Sequence, residues 1–216
     1  MQNIETYIFD LDGTLLDTLK DLASSTNYAL RQYGMPEHSI DDVRYFVGNG
    51  VRKLIERAVP EGTKNPEFEN VYETFRQYYM LHSLDTTLPY DGISETLREL
   101  KQRGCKLAVV SNKMMAATKE LVDHFFAEID VAIGENEAGG IRKKPAPDTV
   151  EEALRQLGAT KESAVYVGDS DVDIQTAQNV GIPCISVLWG FRDKQFLLAH
   201  GATTFVLHPK ELIPEK

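Results

Sequence analysis

Four short stretches gather side chains able to handle a phosphoryl group. In Tyr7-Ile-Phe-Asp-Leu-Asp-Gly-Thr14, Asp10 and Asp12 stand two residues apart directly behind an apolar run. Alternate residues of an extended chain share a face, so both carboxylates are expected on one side. An Asp-Gly turn accounts for Asp12 and Gly13 without further chemistry. It does not account for Asp10, because a carboxylate at the end of an apolar strand is costly to desolvate unless a cation or hydrogen bonds compensate. Val165-Tyr-Val-Gly-Asp-Ser-Asp-Val-Asp173 repeats the arrangement, with Asp169 closing the apolar run and Asp173 one helical turn later. Ser170 and Asp173 also fit a capping box, and an acid in a first turn gains from the helix dipole. That structural duty suffices for Asp171, expected in solvent. Asp169 reads as a metal ligand, and Asp173 as either an acceptor behind the ligands or a cap. Val109-Val-Ser-Asn112 ends in a hydroxyl and an amide, and both Ser111 and Asn112 can donate to a phosphoryl oxygen. Arg142-Lys-Lys-Pro-Ala-Pro-Asp148 is a basic loop, ordinarily a solvated charge run. Lys144 stands out in it because Pro145 favours an extended backbone there, just ahead of a helix. Together these residues supply a nucleophile, a proton-transfer acid, metal ligands, a phosphoryl donor and a fixed cation, which is the equipment of phosphoryl transfer.

The elements that must position them follow from periodicity. Strand-like runs recur at 6–9, 106–110, 130–133, 164–167 and 184–187, with a weaker one at 204–206. Helical spacing fills 94–102, 115–125, 149–157 and 174–180, and Gly104, Gly158 and Gly181 fall where helices should end. This alternation predicts an α/β fold with a doubly wound parallel sheet, a Rossmann-like core whose ligands bind beyond the carboxyl ends of the strands. Residues 15–88 break the rhythm: 16–33, 41–46, 51–59 and 66–84 read as helices with no convincing strand between them. The expected organisation is a catalytic core of 1–14 and 89–216 with an inserted α-helical cap at 15–88.

Composition narrows the partners. A formal net charge of -10 and a pI near 5.0 argue against nucleic acid, which needs a basic footprint. No apolar run approaches the roughly 20 residues of a membrane span, and Met1-Gln-Asn-Ile-Glu5 lacks the features of a signal peptide. The expected setting is cytoplasmic, with no membrane partner. Cys105 and Cys184 both lie beside strand-like runs and read as reduced core thiols. An acidic protein that handles phosphate must screen its own carboxylates locally, which calls for a divalent cation and a nearby lysine. The pattern assigns no oligomeric state.

Asp10-Leu-Asp-Gly-Thr14, Ser111-Asn112, Lys144-Pro145 and Gly168-Asp-Ser-x-x-Asp173, in that order, resemble the four motifs of the haloacid dehalogenase-like hydrolase superfamily, and the insertion after the first resembles its small helical cap class. Val47-Gly-Asn-Gly50, Leu88-Pro-Tyr-Asp-Gly92 and Leu188-Trp-Gly190 resemble the phosphoglycolate phosphatase group within that class. The resemblance implies a Mg2+-dependent phosphatase of a small phosphorylated metabolite, 2-phosphoglycolate as the best guess, acting through an aspartyl-phosphate. It makes Asp10 the nucleophile and a metal ligand. Asp12 gives its carbonyl to the metal and its side chain to proton transfer. Ser111 holds the phosphoryl group, Lys144 offsets charge, Asp169 binds the metal, and Asp173 acts through water or Lys144. A substrate carboxylate would meet the backbone amides of Gly48, Asn49 and Gly50 ahead of the helix at Val51, with Arg52 or Lys53 nearby, although a plain loop and a solvated helix face fit that pattern equally. Trp189 and Phe191 either wall the site or pack. A phosphosugar mutase of the same superfamily is the rival, but it generally pairs Glu with Asp at the fourth motif, where this chain has Asp169 and Asp173. A non-catalytic phospho-accepting receiver needs neither the Asp12 acid nor an insertion of this length.

Overall fold

A computed structural model describes residues 4–214. The chain divides into two compact units, one formed by the chain up to Leu16 together with the chain from Pro89 onward, the other by Asp17–Leu88.

The first unit is a six-stranded parallel sheet. Its strands are β1 (Thr6–Phe9), β4 (Lys106–Met114), β5 (Val131–Glu135), β6 (Ala164–Gly168), β7 (Cys184–Val187) and β8 (Phe205–Val206), in the order β5-β4-β1-β6-β7-β8. Two more short strands, β2 (Leu16–Asp17) and β3 (Leu88–Pro89), pair with each other where the chain passes between the units. From β1 the sheet grows first through β4 to β5, then resumes on the other side of β1 with β6. The chain therefore switches direction at β1, and the crevice at such a switch is where ligands of doubly wound sheets bind. Register fixes what meets there. Phe9 lies level with Val109 on one side and Val167 on the other, so Asp10, Ser111 and Asp169 all emerge at the same edge.

Helices α5 (Ile93–Gln102), α6 (Met115–Phe125), α7 (Asp148–Leu157), α8 (Asp171–Val180) and α9 (Lys194–Ala199) alternate with these strands. All four residues of β1 are buried, as a strand covered on both faces requires. On one side Ile8, Ala108, Val110 and Tyr166 pack with Val150, Ala153 and Leu154 of α7 and with Ala177 and Val180 of α8.

The second unit holds α1 (Leu19–Gln32), α2 (Ile40–Phe46), α3 (Val51–Ala58) and α4 (Phe68–His82) around a core that includes Leu30, Val43, Ile55, Val71 and Phe75. Its last turn is tied to its first helix by Asp21, a buried carboxylate that accepts hydrogen bonds from the backbone N–H and the hydroxyl of both Thr86 and Thr87. Among the described residues no helix is long and apolar enough to cross a membrane, and neither Cys105 nor Cys184 is in a disulfide.

Three of the boundaries that depart from the periodicity have a visible local feature behind them. The helix expected from Leu16 begins at Leu19, because Leu16 and Asp17 pair with β3 and the Asp17 carboxylate accepts the Leu19 N–H. Helix α8 starts at Asp171, earlier than 174, since Ser170 and Asp173 close a capping box at its start. Strand β4 runs four residues beyond Val110, with an irregular register against β5 between Val110 and Met114. That irregular stretch carries Ser111, Asn112 and Lys113.

Candidate active site

The loop after β1 is tight. Asp10 donates its N–H to the Val167 carbonyl at 2.9 Å, and the N–H groups of Leu15 and Leu16 both return to the Leu11 carbonyl at 3.0 Å. Gly13 has a φ of +84°, and a Cβ there would collide with the Asp169 carboxylate, so the turn requires glycine. Opposite, Lys144 extends into the crevice from the loop before α7. Its ammonium lies 2.8 Å from Asp10 Oδ1, 2.8 Å from Asp173 Oδ1 and 2.9 Å from the Tyr166 hydroxyl, which itself donates to Asp173 Oδ1 at 2.9 Å. Asp173 Oδ2 accepts from the Ser170 N–H and hydroxyl at 3.1 and 2.6 Å. Asp173 therefore does both of the jobs open to it in the sequence, helix cap and partner of Lys144. Asp169 Oδ2 accepts the Phe191 N–H at 2.6 Å, and Gly190 lies so close to Asp169 and the Gly13 carbonyl that no Cβ fits.

Asp10, Asp169, Asp173 and Lys144 are all buried, and burial dominates their electrostatics. Desolvation, reinforced by Asp173, pushes Asp10 up to about 7 against the opposing pull of Lys144. Desolvation followed by the charges of Asp173 and Asp10 raises Asp169 well above the usual carboxylate range. Burial works against the Lys144 ammonium, but Asp10 and Asp173 outweigh it and raise its pKa. One oxygen from each of Asp10, Asp169 and Asp173 lies within 4.8 Å of the others. Asp173 is committed to Lys144, Tyr166 and Ser170. Asp10 and Asp169 are then the pair suited to hold a cation, and an all-oxygen donor set fits a hard divalent ion of the magnesium or calcium kind.

Asp10, Ser111, Lys144, Asp169 and Asp173 thus stand in one crevice. Asp12 lies past the end of β1 at Phe9, where strand alternation no longer applies, and its carboxylate pairs with Lys113 Nζ at 2.8 Å. Asn112 was expected to aim its amide at a phosphoryl oxygen. Its Oδ1 accepts the Lys144 N–H at 2.8 Å and its Nδ2 donates to the Lys144 carbonyl at 3.0 Å, so it holds the backbone of the lysine. Ser111 Oγ accepts the Lys113 N–H at 3.2 Å.

Gly48, Asn49 and Gly50 lie in the helical unit. Gly50 precedes α3, Gly48 and Gly50 both have positive φ, and Asn49 Oδ1 accepts from Arg57 at 2.8 Å. Arg52 is paired with Glu69 and stacked on Phe68 and Tyr72, and Lys53 pairs with Glu56 at 2.6 Å, so the two cations put forward for a substrate carboxylate both have acidic partners. Trp189 donates its indole N–H to the Thr14 carbonyl at 2.9 Å. Lys113 and Tyr166 were missed in the sequence. A signal for each was present: Lys113 is a charge just behind an apolar strand, as Asp10 is, and Tyr166 puts a hydroxyl inside a buried run, where it must find a partner.

A doubly wound α/β core with a lysine-bridged carboxylate cluster at its switch point defines the class of Rossmann-like proteins equipped to handle anionic groups. Within it, the chain belongs to the haloacid dehalogenase-like hydrolase family, whose model matches residues 7–187. A phosphoglycolate phosphatase of Aquifex aeolicus is 37% identical over 186 residues, covering 85% of this chain and 84% of the relative. One from Agrobacterium fabrum is 36% identical, covering 86% and 81%. A solved structure from Lactobacillus delbrueckii subsp. bulgaricus, provisionally named phosphoglycolate phosphatase, superposes with a TM-score of 0.92 at 40% identity over 98% of this chain and 97% of the other.

Proposed function

We propose that this chain is a magnesium-dependent phosphatase that hydrolyses small phosphate monoesters, 2-phosphoglycolate first among them, through an aspartyl-phosphate on Asp10. The observation that carries the reading is Lys144, whose ammonium bridges Asp10 and Asp173 beside Asp169. A bare carboxylate repels a phosphate dianion, and a cation fixed 2.8 Å from that carboxylate offsets the repulsion. Held by Asp10, Asp169 and the Asp12 carbonyl, Mg2+ would neutralise phosphoryl oxygens. The likeness to phosphoglycolate phosphatases supports the choice of substrate.

In the first half-reaction a carboxylate oxygen of Asp10 attacks phosphorus, the bond to the ester oxygen breaks, and Asp12 gives its proton to the departing oxygen. Ser111 donates to a phosphoryl oxygen, and Asn112 keeps Lys144 aimed at Asp10. In the second half-reaction Asp12 takes a proton from water as that water attacks phosphorus. The bond from phosphorus to Asp10 breaks, inorganic phosphate leaves, and Asp10 is regenerated. The two unbonded thiols fit a cytoplasmic setting.

The test is steady-state phosphate release from 2-phosphoglycolate, phosphosugars and pyrophosphate, with and without magnesium, for the wild type and Asp10→Asn. The expected result is magnesium-dependent turnover, fastest on 2-phosphoglycolate, falling at least about 10³-fold in the variant. Turnover that survives Asp10→Asn overturns the mechanism.

A further inference from the structure

Lys113 is a buried cation that the reaction as described leaves without a part. It ends the irregular stretch of β4, is buried, and lies 2.8 Å from the carboxylate that exchanges protons with the leaving group. We infer that Lys113 reads a carboxylate on the substrate's leaving group and so selects 2-phospho acids over uncharged alkyl phosphates. The inference rests on the phosphatase reading above.

A proton donor must come within about 3 Å of the atom it protonates, so the leaving oxygen sits beside Asp12. Lys113 is the next group along, within roughly 6 Å of that oxygen once its own hydrogen bond is added. In a 2-phospho acid one carbon separates the ester oxygen from the carboxyl carbon, which places the carboxylate about 3 Å from the ester oxygen. That spans the gap. An ammonium has three N–H donors, so a bond to Asp12 is compatible with a second to substrate. In a chain of formal charge -10, a substrate carrying a second anionic group needs a cation at that spot more than most.

The experiment compares kcat/KM for 2-phosphoglycolate and ethyl phosphate, which have the same carbon count and both need leaving-group protonation, in wild type, Lys113→Met and Lys113→Arg. The ratio of the two constants within one protein does not depend on how much of it is folded. The expected wild-type preference for 2-phosphoglycolate is roughly 30- to 100-fold, the worth of a charge-assisted hydrogen bond. It should collapse towards unity in Lys113→Met, through a raised KM for 2-phosphoglycolate, and be partly restored in Lys113→Arg. Equal loss on both esters, with the preference intact, would show that Lys113 only holds Asp12 and would overturn the inference. So would a wild type that hydrolyses both esters equally well, an outcome that leaves the phosphatase reading standing. A wild type inert on both esters and on every other phosphate ester would overturn the two together.

Discussion

Replacing Lys144 by methionine probes the centre of the site and its cost to the fold. The ammonium is 3% exposed and serves two buried carboxylates at 2.8 Å and one tyrosine hydroxyl at 2.9 Å. Methionine fills most of the same volume, so the loss is electrostatic. Breaking a buried pair by removing one partner typically costs about 3–5 kcal/mol, and here two acceptors are stranded. The deficit must depend on pH. Burial already raises Asp10 from 3.8 to about 7 with the lysine present, and the lysine pulls in the opposite direction, so its removal raises Asp10 further. A carboxyl whose folded pKa lies above its unfolded one binds protons more tightly in the fold, and stability falls as pH climbs from the unfolded value to the folded one. The deficit of Lys144→Met should therefore be larger at pH 8 than at pH 5, by up to about 1.4 kcal/mol, because Asp10 is mostly ionised at pH 8 in the wild type and mostly neutral at pH 5 in both proteins. Urea denaturation in EDTA, followed by fluorescence, measures it. The single tryptophan, Trp189, lies in the unit that contains the site and reports on that unit alone. A deficit under about 1 kcal/mol at pH 8, or one that is the same at both pH values, would refute the reasoning.

Two further substitutions test other parts of the structure. Gly190→Ala sets a methyl group against Asp169 and the Gly13 carbonyl, so Asp169 must shift; magnesium affinity by calorimetry should fall at least about tenfold, and an unchanged titration would show that the contact has slack. Asp21→Ala leaves the N–H groups of Thr86 and Thr87 without their acceptor, at a cost of about 2–4 kcal/mol to the helical unit, seen as faster hydrogen exchange in α1 and α4 while the sheet amides keep their rates.

What the sequence made legible has a common cause. Asp10 and Asp169 each interrupt an apolar run at the point where a buried strand must end, and Lys144 stands out because Pro145 fixes it ahead of a helix. Such features are local. What it hid depends on the irregular end of β4. The run 106–110 predicts a strand and stops there, because Ser, Asn and Lys carry no strand signal. Only the continued ladder to Met114 sets Asn112 against the backbone of Lys144, 32 residues away, and Lys113 against Asp12, 101 residues away. The shape of the Asp10 loop was hidden for a similar reason. Period-two reasoning is valid inside a strand, and β1 ends one residue too early for it. The double duty of Asp173 could not be chosen from sequence because cap and ion pair use different oxygens of the same carboxylate.

The arrangement also explains why the site draws on so many elements. Three carboxylates crowded in a buried crevice disfavour the folded state unless each is held, and the groups that hold them come from several segments. Asp10 is fixed through its own N–H by β6, Asp169 by the backbone of Phe191, and Asp173 by Tyr166, Ser170 and Lys144. Lys144 is itself fixed through its backbone by Asn112 on β4. Tyr166 and Val167 among these supports lie in β6, and Asn112 lies in β4. Burial and the neighbouring carboxylates raise Asp10 and Asp169, and a divalent cation between them would offset both effects. Under the proposed mechanism, the same supports would hold the Asp10 oxygen in place for attack on phosphorus.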